Sequence, residues 1–347
     1  MVKAAIGLVY LMPLCAVALP WVQPSCASVV NARKTEFTIS FIDGPDVQTS
    51  HACCINRRGV AAFSVKLTSS KYLRPATWND GKLNVIKSFG NRNVSSRAIN
   101  DKGELVGTIH EFVDARRGWT RAFIMRGKAF TVLEGLGGAS DIANGINNNG
   151  LVVGASFDSG RVMQACTYST GAARTLSKFA KGNATAAAVN QAGLVVGLDI
   201  GDGIVWRNGR AIKLSGSGMS EARCVNAKGD IAGSAEFTKD GPGLRMCLWR
   251  SGKPRDLGTL KGFSFCYALG INDSCDIVGG SERDKGASHA VLHRGNKMID
   301  LSSVVSLPHG AVLEEAVGID NYGRIVGNGT LGGKSVGFVL TPIKRRR

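Results

Sequence analysis

The stretch GINNNGLVVG, residues Gly145–Gly154, decides the fold, because its pattern returns along the chain. The pattern is a small or apolar residue, Ile or Val, Asn, two variable residues, Gly, one variable residue, two apolar residues and Gly. The other copies are CINRRGVAAF (Cys54–Phe63), AINDKGELVG (Ala98–Gly107), AVNQAGLVVG (Ala188–Gly197), CVNAKGDIAG (Cys224–Gly233), GINDSCDIVG (Gly270–Gly279) and GIDNYGRIVG (Gly318–Gly327). Internal repetition is therefore the primary feature of this sequence.

The third residue of each copy is an anchor, and the anchors follow one another at spacings of 44, 47, 43, 36, 46 and 48 residues. The anchors are Asn56, Asn100, Asn147, Asn190, Asn226, Asn272 and Asp320. An Asn or Asp side chain can bond the backbone two residues on, and Gly supplies the left-handed conformation that closes a tight turn. Asn-x-x-Gly between two apolar runs therefore predicts a β-hairpin.

A second signal follows each hairpin: an apolar run, often with Trp, then a turn with Gly, as in IVWRNGR (Ile204–Arg210) and CLWRSGK (Cys247–Lys253). A short final strand comes next, so each period holds four strands. Seven such units predict an all-β, seven-bladed β-propeller of four-stranded antiparallel blades. The N-terminal segment EFTISFID (Glu36–Asp43) is expected to complete the last blade after GFVL (Gly337–Leu340), which closes the ring and removes an exposed edge.

The unit resembles the HAF repeat of extracellular bacterial proteins, which is named for a His-Ala-Phe triplet. His289-Ala290-Val291 and Arg121-Ala122-Phe123 each keep two of the three residues, and Asp256-Leu257-Gly258-Thr259-Leu260 matches part of the joining segment of that family. The resemblance covers about residues 36–342. It implies an extracellular bacterial repeat protein, and it brings no catalytic residues with it.

The N-terminus predicts export. A basic start is followed by an apolar run, Ala4–Val22, and by small residues ending at Ala27, as in a secretory signal peptide. The alternative is an uncleaved membrane anchor. We therefore expect a signal peptide over 1–27, a linker over 28–35, one propeller domain over 36–342 and a basic tail over 343–347. The expected location is extracellular or periplasmic.

The 347-residue chain has a formal charge of +17, which favours anionic partners. If the first strand of each blade is innermost, the tight turns gather on one face, and the excess charge should lie there. Candidate residues of this basic face are Arg126, Lys128, Arg207, Arg210, Arg250, Lys253, Arg255, Arg294 and Lys297. The alternative is solvated charge that only keeps the protein soluble.

A second candidate site lies in the irregular segment after the second hairpin, where Trp119 is expected in a long connection. Trp119 with Arg116, Arg117 and Arg121 could contact an anionic or carbohydrate ligand. The alternative is that the Trp packs on its own blade. The Trp residues of the repeat unit, Trp78, Trp206 and Trp249, are expected to pack between blades.

No nucleophile elbow, phosphate-binding loop or zinc-protease motif is present in the sequence, so we predict no cofactor, no metal and no catalytic residues. His289 and His293 share a strand face but lack an evident third ligand. Cys53, Cys54, Cys166, Cys224, Cys247, Cys266 and Cys275 follow the signal segment, and one or two disulfides remain open.

The predicted function is that of an exported, non-enzymatic binding or scaffold protein. Its partner would be an anionic polysaccharide, a lipid surface or another protein. We expect a monomer and no nucleic-acid partner. The alternative is a carbohydrate-active lyase or glycoside hydrolase with its site at the propeller mouth, which a pair of carboxylates, or His with Arg, at that mouth would favour.

Overall fold

The computed structural model describes residues 35–112, 118–169, 171–176, 183–208, 210–216, 218–237, 243–284 and 286–343. They form a seven-bladed β-propeller of four-stranded antiparallel blades, which confirms the predicted fold class. The predicted signal segment and residues 344–347 of the tail lie outside the described residues. Within the described ranges, no helix is long and apolar enough to cross a bilayer.

Blades 1 to 6 each take four consecutive strands. Blades 1 to 3 comprise β2 (Val47–Ile55), β3 (Ala61–Leu67), β4 (Leu73–Asn79), β5 (Lys82–Val85), β6 (Asn93–Ile99), β7 (Leu105–Phe112), β8 (Gly118–Arg126), β9 (Ala129–Val132), β10 (Gly137–Ile146), β11 (Val152–Asp158), β12 (Met163–Ser169) and β13 (Ala172–Thr175). Blades 4 to 6 comprise β14 (Ala184–Val189), β15 (Val195–Asp199), β16 (Asp202–Arg207), β17 (Arg210–Lys213), β18 (Ser220–Val225), β19 (Ile231–Ala235), β20 (Arg245–Arg250), β21 (Lys253–Gly258), β22 (Phe265–Ile271), β23 (Ile277–Glu282), β24 (Ser288–Arg294) and β25 (Lys297–Asp300).

Blade 7 is composite, as predicted. It consists of β26 (Val312–Ile319), β27 (Ile325–Leu331) and β28 (Lys334–Pro342), with the N-terminal strand β1 (Phe37–Phe41) as its outermost member. β1 pairs with β28 in antiparallel register from Phe37↔Pro342 to Phe41↔Phe338. Phe37 is buried against Leu301 and Phe338. The two ends of the described chain thus close the ring through one ladder.

The apolar core lies between neighbouring blades. Trp206 packs with Val153 and Ala165 of blade 3, and Trp249 packs with Leu194 and Val205 of blade 4. Trp78 likewise packs against residues of blade 7. All three indoles are buried, which confirms their predicted role in packing between blades.

The innermost strand of every blade carries a β-bulge three residues before its anchor, where the pairing with the second strand skips one residue. The residues at this bulge position are Cys53, Arg97, Asn144, Ala187, Arg223, Leu269 and Val317. This position immediately precedes the repeat pattern, and its residues differ in size and charge from blade to blade.

The final Gly of the repeat has a structural reason. A Cβ on Gly107, Gly154 or Gly197 would overlap a backbone carbonyl of the innermost strand, at Ser95, Ile142 and Thr185 respectively. Only Gly permits this close approach of the second strand.

Candidate functional site

The anchor residues form a belt around the central channel, which we call the amide belt. The Nδ2 of Asn56 donates to the carbonyl of Asn100 at 2.9 Å, and Asn100 donates in the same way to Asn147 at 3.0 Å. Asn147, Asn190, Asn226 and Asn272 continue the pattern at 3.1 to 3.2 Å. The anchor Oδ1 meanwhile accepts the backbone N–H groups two and four residues on, as in Asn56 with Arg58 and Val60.

The sequence predicted the hairpin bond within each blade but not the bond between blades. The belt therefore links six of the seven blade junctions through side-chain amides. The seventh junction is different, because the carboxylate side chain of Asp320 has no N–H group to donate to Asn56. Its carboxylate instead accepts the guanidinium of Arg324 at 2.5 Å within blade 7.

A second ring lies outside the belt, formed by the residue that follows each anchor. The N–H of Arg57 donates to the carboxylate of Asp101 at 2.9 Å, and the N–H of Ala227 donates to Asp273 at 2.9 Å. Amide groups bind the second oxygens, from Asn148 to Asp101 and from Asn321 to Asp273, both at 2.7 Å. Every carboxylate oxygen of this ring is thus occupied.

A cavity of about 190 Å³ lies at the mouth of the channel. It is lined by the residues of the amide belt, by those of the outer ring and by the Ile or Val that precedes each anchor. Partial burial works to raise the pKa of Asp273, but bonds from Ala227 and Asn321 and the charge of Arg57 hold it below its ordinary value. Asp101 and Asp273 are therefore engaged structural groups, and this mouth gives no support to the predicted alternative of a carbohydrate-active enzyme.

Because the strands of each blade are antiparallel, the turn after the first strand and the turn after the third lie at the same end of the propeller. We call this end the tight-turn face and the opposite end the wide-loop face. Sixteen basic and seven acidic residues of the sequence lie in or beside the tight turns. The nine predicted basic-face residues all belong to the outer of the two turns or to its flanking strands.

Three of these nine are neutralised within their own blades by the acid four residues after the anchor. Arg126 pairs with Glu104 at 2.8 Å, Arg250 with Asp230 at 2.9 Å, and Arg294 with Asp276 at 2.9 Å. The remaining exposed bases on the outer turns have no ion pair with any described acid. This basic perimeter consists of Lys82, Lys128, Arg174, Arg207, Arg210, Lys253, Arg255 and Lys297.

Trp119 is not in a loop, and the expectation of a long connection there was wrong. β7 and β8 form an antiparallel ladder that reaches the Phe112–Gly118 pair and places Trp119 opposite Glu111. The indole is 38% exposed, and its Nε1 donates to the Glu111 carboxylate. Arg121 pairs with the buried Asp141 at 3.1 Å. Arg116 and Arg117 lie outside the described residues.

The two histidines that share a face of β24 do not form a metal site. His289 bonds Asp300 at 2.8 Å, whereas His293 is buried, so the two do not meet at one ligand. Among the described residues, no group of three His, Cys, Asp or Glu is placed to hold a metal ion. The seven cysteines after the signal segment are free thiols, so the open disulfide alternative is not realised.

No protein-family model matches this sequence, and no curated protein matches it. Similar solved structures nevertheless exist. The β-propeller domain of the trilobed protease from Pyrococcus furiosus, described as having an open velcro topology, is 10% identical with a TM-score of 0.53, over 86% of this chain and 98% of that one.

The acylaminoacyl peptidase of Pyrococcus horikoshii is 10% identical with a TM-score of 0.51, over 85% of this chain and 51% of that chain. This chain thus spans about half the length of that peptidase. At such low identity, both likenesses bear on the fold alone: the chain is a β-propeller.

Proposed function

We propose that this protein is an exported propeller that binds an extended anionic surface of the cell envelope through its tight-turn face. The observation that carries the proposal is the radial sorting of charge on that face. Six of its seven acids lie on the inner hairpins and are engaged by neighbouring groups, whereas the eight bases of the perimeter make no ion pair with any described acid.

This arrangement favours a broad ligand over a small one. A single small anion could meet only one or two of the perimeter bases, since they are distributed over blades 1 to 6. A polyanion or an anionic lipid surface would meet many together and would release counterions from each. The expected signal segment and the resemblance to HAF-repeat proteins support the exported location.

The experiment is retention of the purified protein on immobilised heparin and on vesicles with and without anionic lipid, over a range of salt concentrations. We expect retention that weakens steeply as salt rises, and vesicle binding only when anionic lipid is present. Replacing Lys128, Arg207, Arg210 and Lys253 by Gln should abolish most of the retention on heparin and most of the binding to anionic vesicles.

The matched control removes the same number of charges from the wide-loop face, at the exposed residues Lys71, Lys87, Lys261 and Lys334. This variant should bind as the unaltered protein does. Equal losses in the two variants would show that net charge alone, and not the tight-turn face, governs binding. Salt-independent retention would overturn the proposal. Export is tested separately, by sequencing the N-terminus of the protein recovered outside the cytoplasm, which should begin at Ser28.

A further inference from the structure

Two arginines occupy the bulge position of the innermost strand, Arg97 in blade 2 and Arg223 in blade 5, and their surroundings differ. Arg223 is bound by Glu221, two residues earlier, through Nε at 3.0 Å and Nη2 at 2.7 Å. Blade 2 has Ser95 in the place of Glu221. Arg97 is exposed and makes no hydrogen bond or ion pair with any described residue.

Two titratable side chains that the charge of Arg97 acts on, His110 and Cys53, are neutral. Ser95 Oγ lies 2.9 Å from Nε2 of His110 on the next strand. Burial lowers the pKa of His110, and the charge of Arg97 lowers it further, so this imidazole is neutral at neutral pH. Burial raises the pKa of Cys53, the bulge residue of blade 1, and keeps it a thiol although Arg97 opposes the rise.

The acid whose charge acts on Cys53 is Glu315 of blade 7. It is held by the Nδ2 of Asn328 at 2.9 Å and makes no ion pair with Arg97. The environment of Arg97 thus offers one guanidinium with its donors free, beside a hydroxyl and a neutral imidazole. One guanidinium matches one planar carboxylate, which it binds through two parallel N–H···O bonds. A doubly charged phosphate would call for further cations, which this cluster lacks.

We infer that Arg97, with Ser95 and His110, forms a binding site in the central channel for the carboxylate of a small ligand that enters from the wide-loop face. Ser95 and His110 supply polar contacts beside the carboxylate, and Ile99 and its equivalents line the cavity at the belt end of the channel. The site is independent of the basic perimeter, because it lies on another part of the molecule.

The test is calorimetric titration of the purified protein with sodium glucuronate, with glucose as the uncharged counterpart and inorganic phosphate as the competing anion. We expect glucuronate to bind with a Kd below about 10 mM and glucose not to bind. Arg97→Gln should weaken glucuronate binding at least about tenfold, as expected for loss of a charge-assisted bidentate contact.

Blade 5 supplies the decisive variant. Ser95→Glu places in blade 2 the carboxylate that occupies Arg223 in blade 5, so it should block the site from within while Arg97 is retained. Arg223→Gln is the matched control and should leave the affinity unchanged. Circular dichroism verifies that each variant folds.

The inference is overturned if glucuronate gives no saturable heat, if Arg97→Gln binds it as well as the unaltered protein, or if Arg223→Gln weakens binding equally. Tighter binding of phosphate than of glucuronate would overturn the assignment to carboxylates. Arg97→Gln should leave heparin retention unchanged, so the outcome here is separate from that of the proposed surface binding.

Discussion

Asp320 and Asn56 meet at the junction that closes the ring, and they are the one anchor pair of the described belt without a side-chain amide bond. The side chain of Asn272 donates to the carbonyl of Asp320 at 3.2 Å, but the side chain of Asp320 donates no hydrogen bond to Asn56. In its place the guanidinium of Arg324 covers Gly59 of blade 1, where any side chain would collide with it. Other contacts cross this junction: Arg324 packs onto blade 1, the Oδ1 of Asn328 accepts the N–H of Ala52 at 2.7 Å, and its Nδ2 donates to the carbonyl of Ala52 at 3.3 Å.

Asp320→Asn alone should destabilise the protein by about 1–3 kcal/mol, because it leaves the largely buried Arg324 without its carboxylate. Asp320→Asn combined with Arg324→Leu should recover most of that loss. The double variant gives blade 7 the anchor and the apolar residue of blades 3 and 4, and its amide can complete the belt. Urea unfolding of both variants checks this. A double variant no more stable than the single one would show that the amide bond does not compensate for the ion pair.

Cys275 stands where the other hairpins have Gly, at φ 61°, and its Sγ lies 3.0 Å from both Asp230 and Arg250 of blade 5. Cys275→Gly removes the left-handed strain and loses the thiol contacts. Cys275→Ala loses the contacts and keeps the strain. We therefore expect the Gly variant to be more stable than the Ala variant by about 1 kcal/mol, measured by thermal unfolding. Equal stabilities would mean that a Cβ at this left-handed position causes no measurable backbone strain.

We expect the ionisation of Glu315 to make the stability of the protein depend on pH. Burial raises its pKa above the ordinary value, the bond from Asn328 opposes the rise, and Glu282 adds to it. Because the pKa is higher in the folded state, the stabilisation it provides is complete below the pKa of the unfolded chain. That stabilisation is lost as pH rises through the folded value. Glu315→Gln, which cannot ionise, should therefore raise Tm relative to the unaltered protein at pH 8 but not at pH 4.

The exposed Glu134 provides the comparison for this experiment. Glu134→Gln should shift Tm by a similar small amount at both pH values. A Glu315→Gln variant with the same behaviour would contradict the assigned cost of ionising Glu315.

Substitution of Phe37 tests how much the N-terminal strand contributes to the stability of the closed ring. The side chain is 1% exposed, within the cluster formed by blade 7 and the segment before it. Phe37→Ala should cost about 3–5 kcal/mol through lost burial and the cavity left behind. Ser40→Ala, at an exposed position of the same strand, should cost less than about 0.5 kcal/mol. Similar losses in urea unfolding would show that β1 contributes little to closure.

Much of the fold follows from local sequence, because Asn-x-x-Gly dictates a turn by short-range hydrogen bonding and seven copies of one unit dictate seven blades. The composite blade was predictable for the same reason, since a lone strand at one end and a three-stranded unit at the other complement each other. The strand position of Trp119 was not predictable, because no local signal in the segment before it shows how far the β7–β8 ladder extends.

The sequence by itself determined the repeat, the hairpins, the strand count and the closure by β1. Only the tertiary structure decided which charges are free. Arg97 and Arg223 hold the same repeat position, and Arg126 and Arg207 hold equivalent turns, yet one member of each pair is neutralised and the other is not. Whether a charge is paired depends on residues that adjacent strands bring within about 4 Å, and that distance is set by packing rather than by the order of residues along the chain.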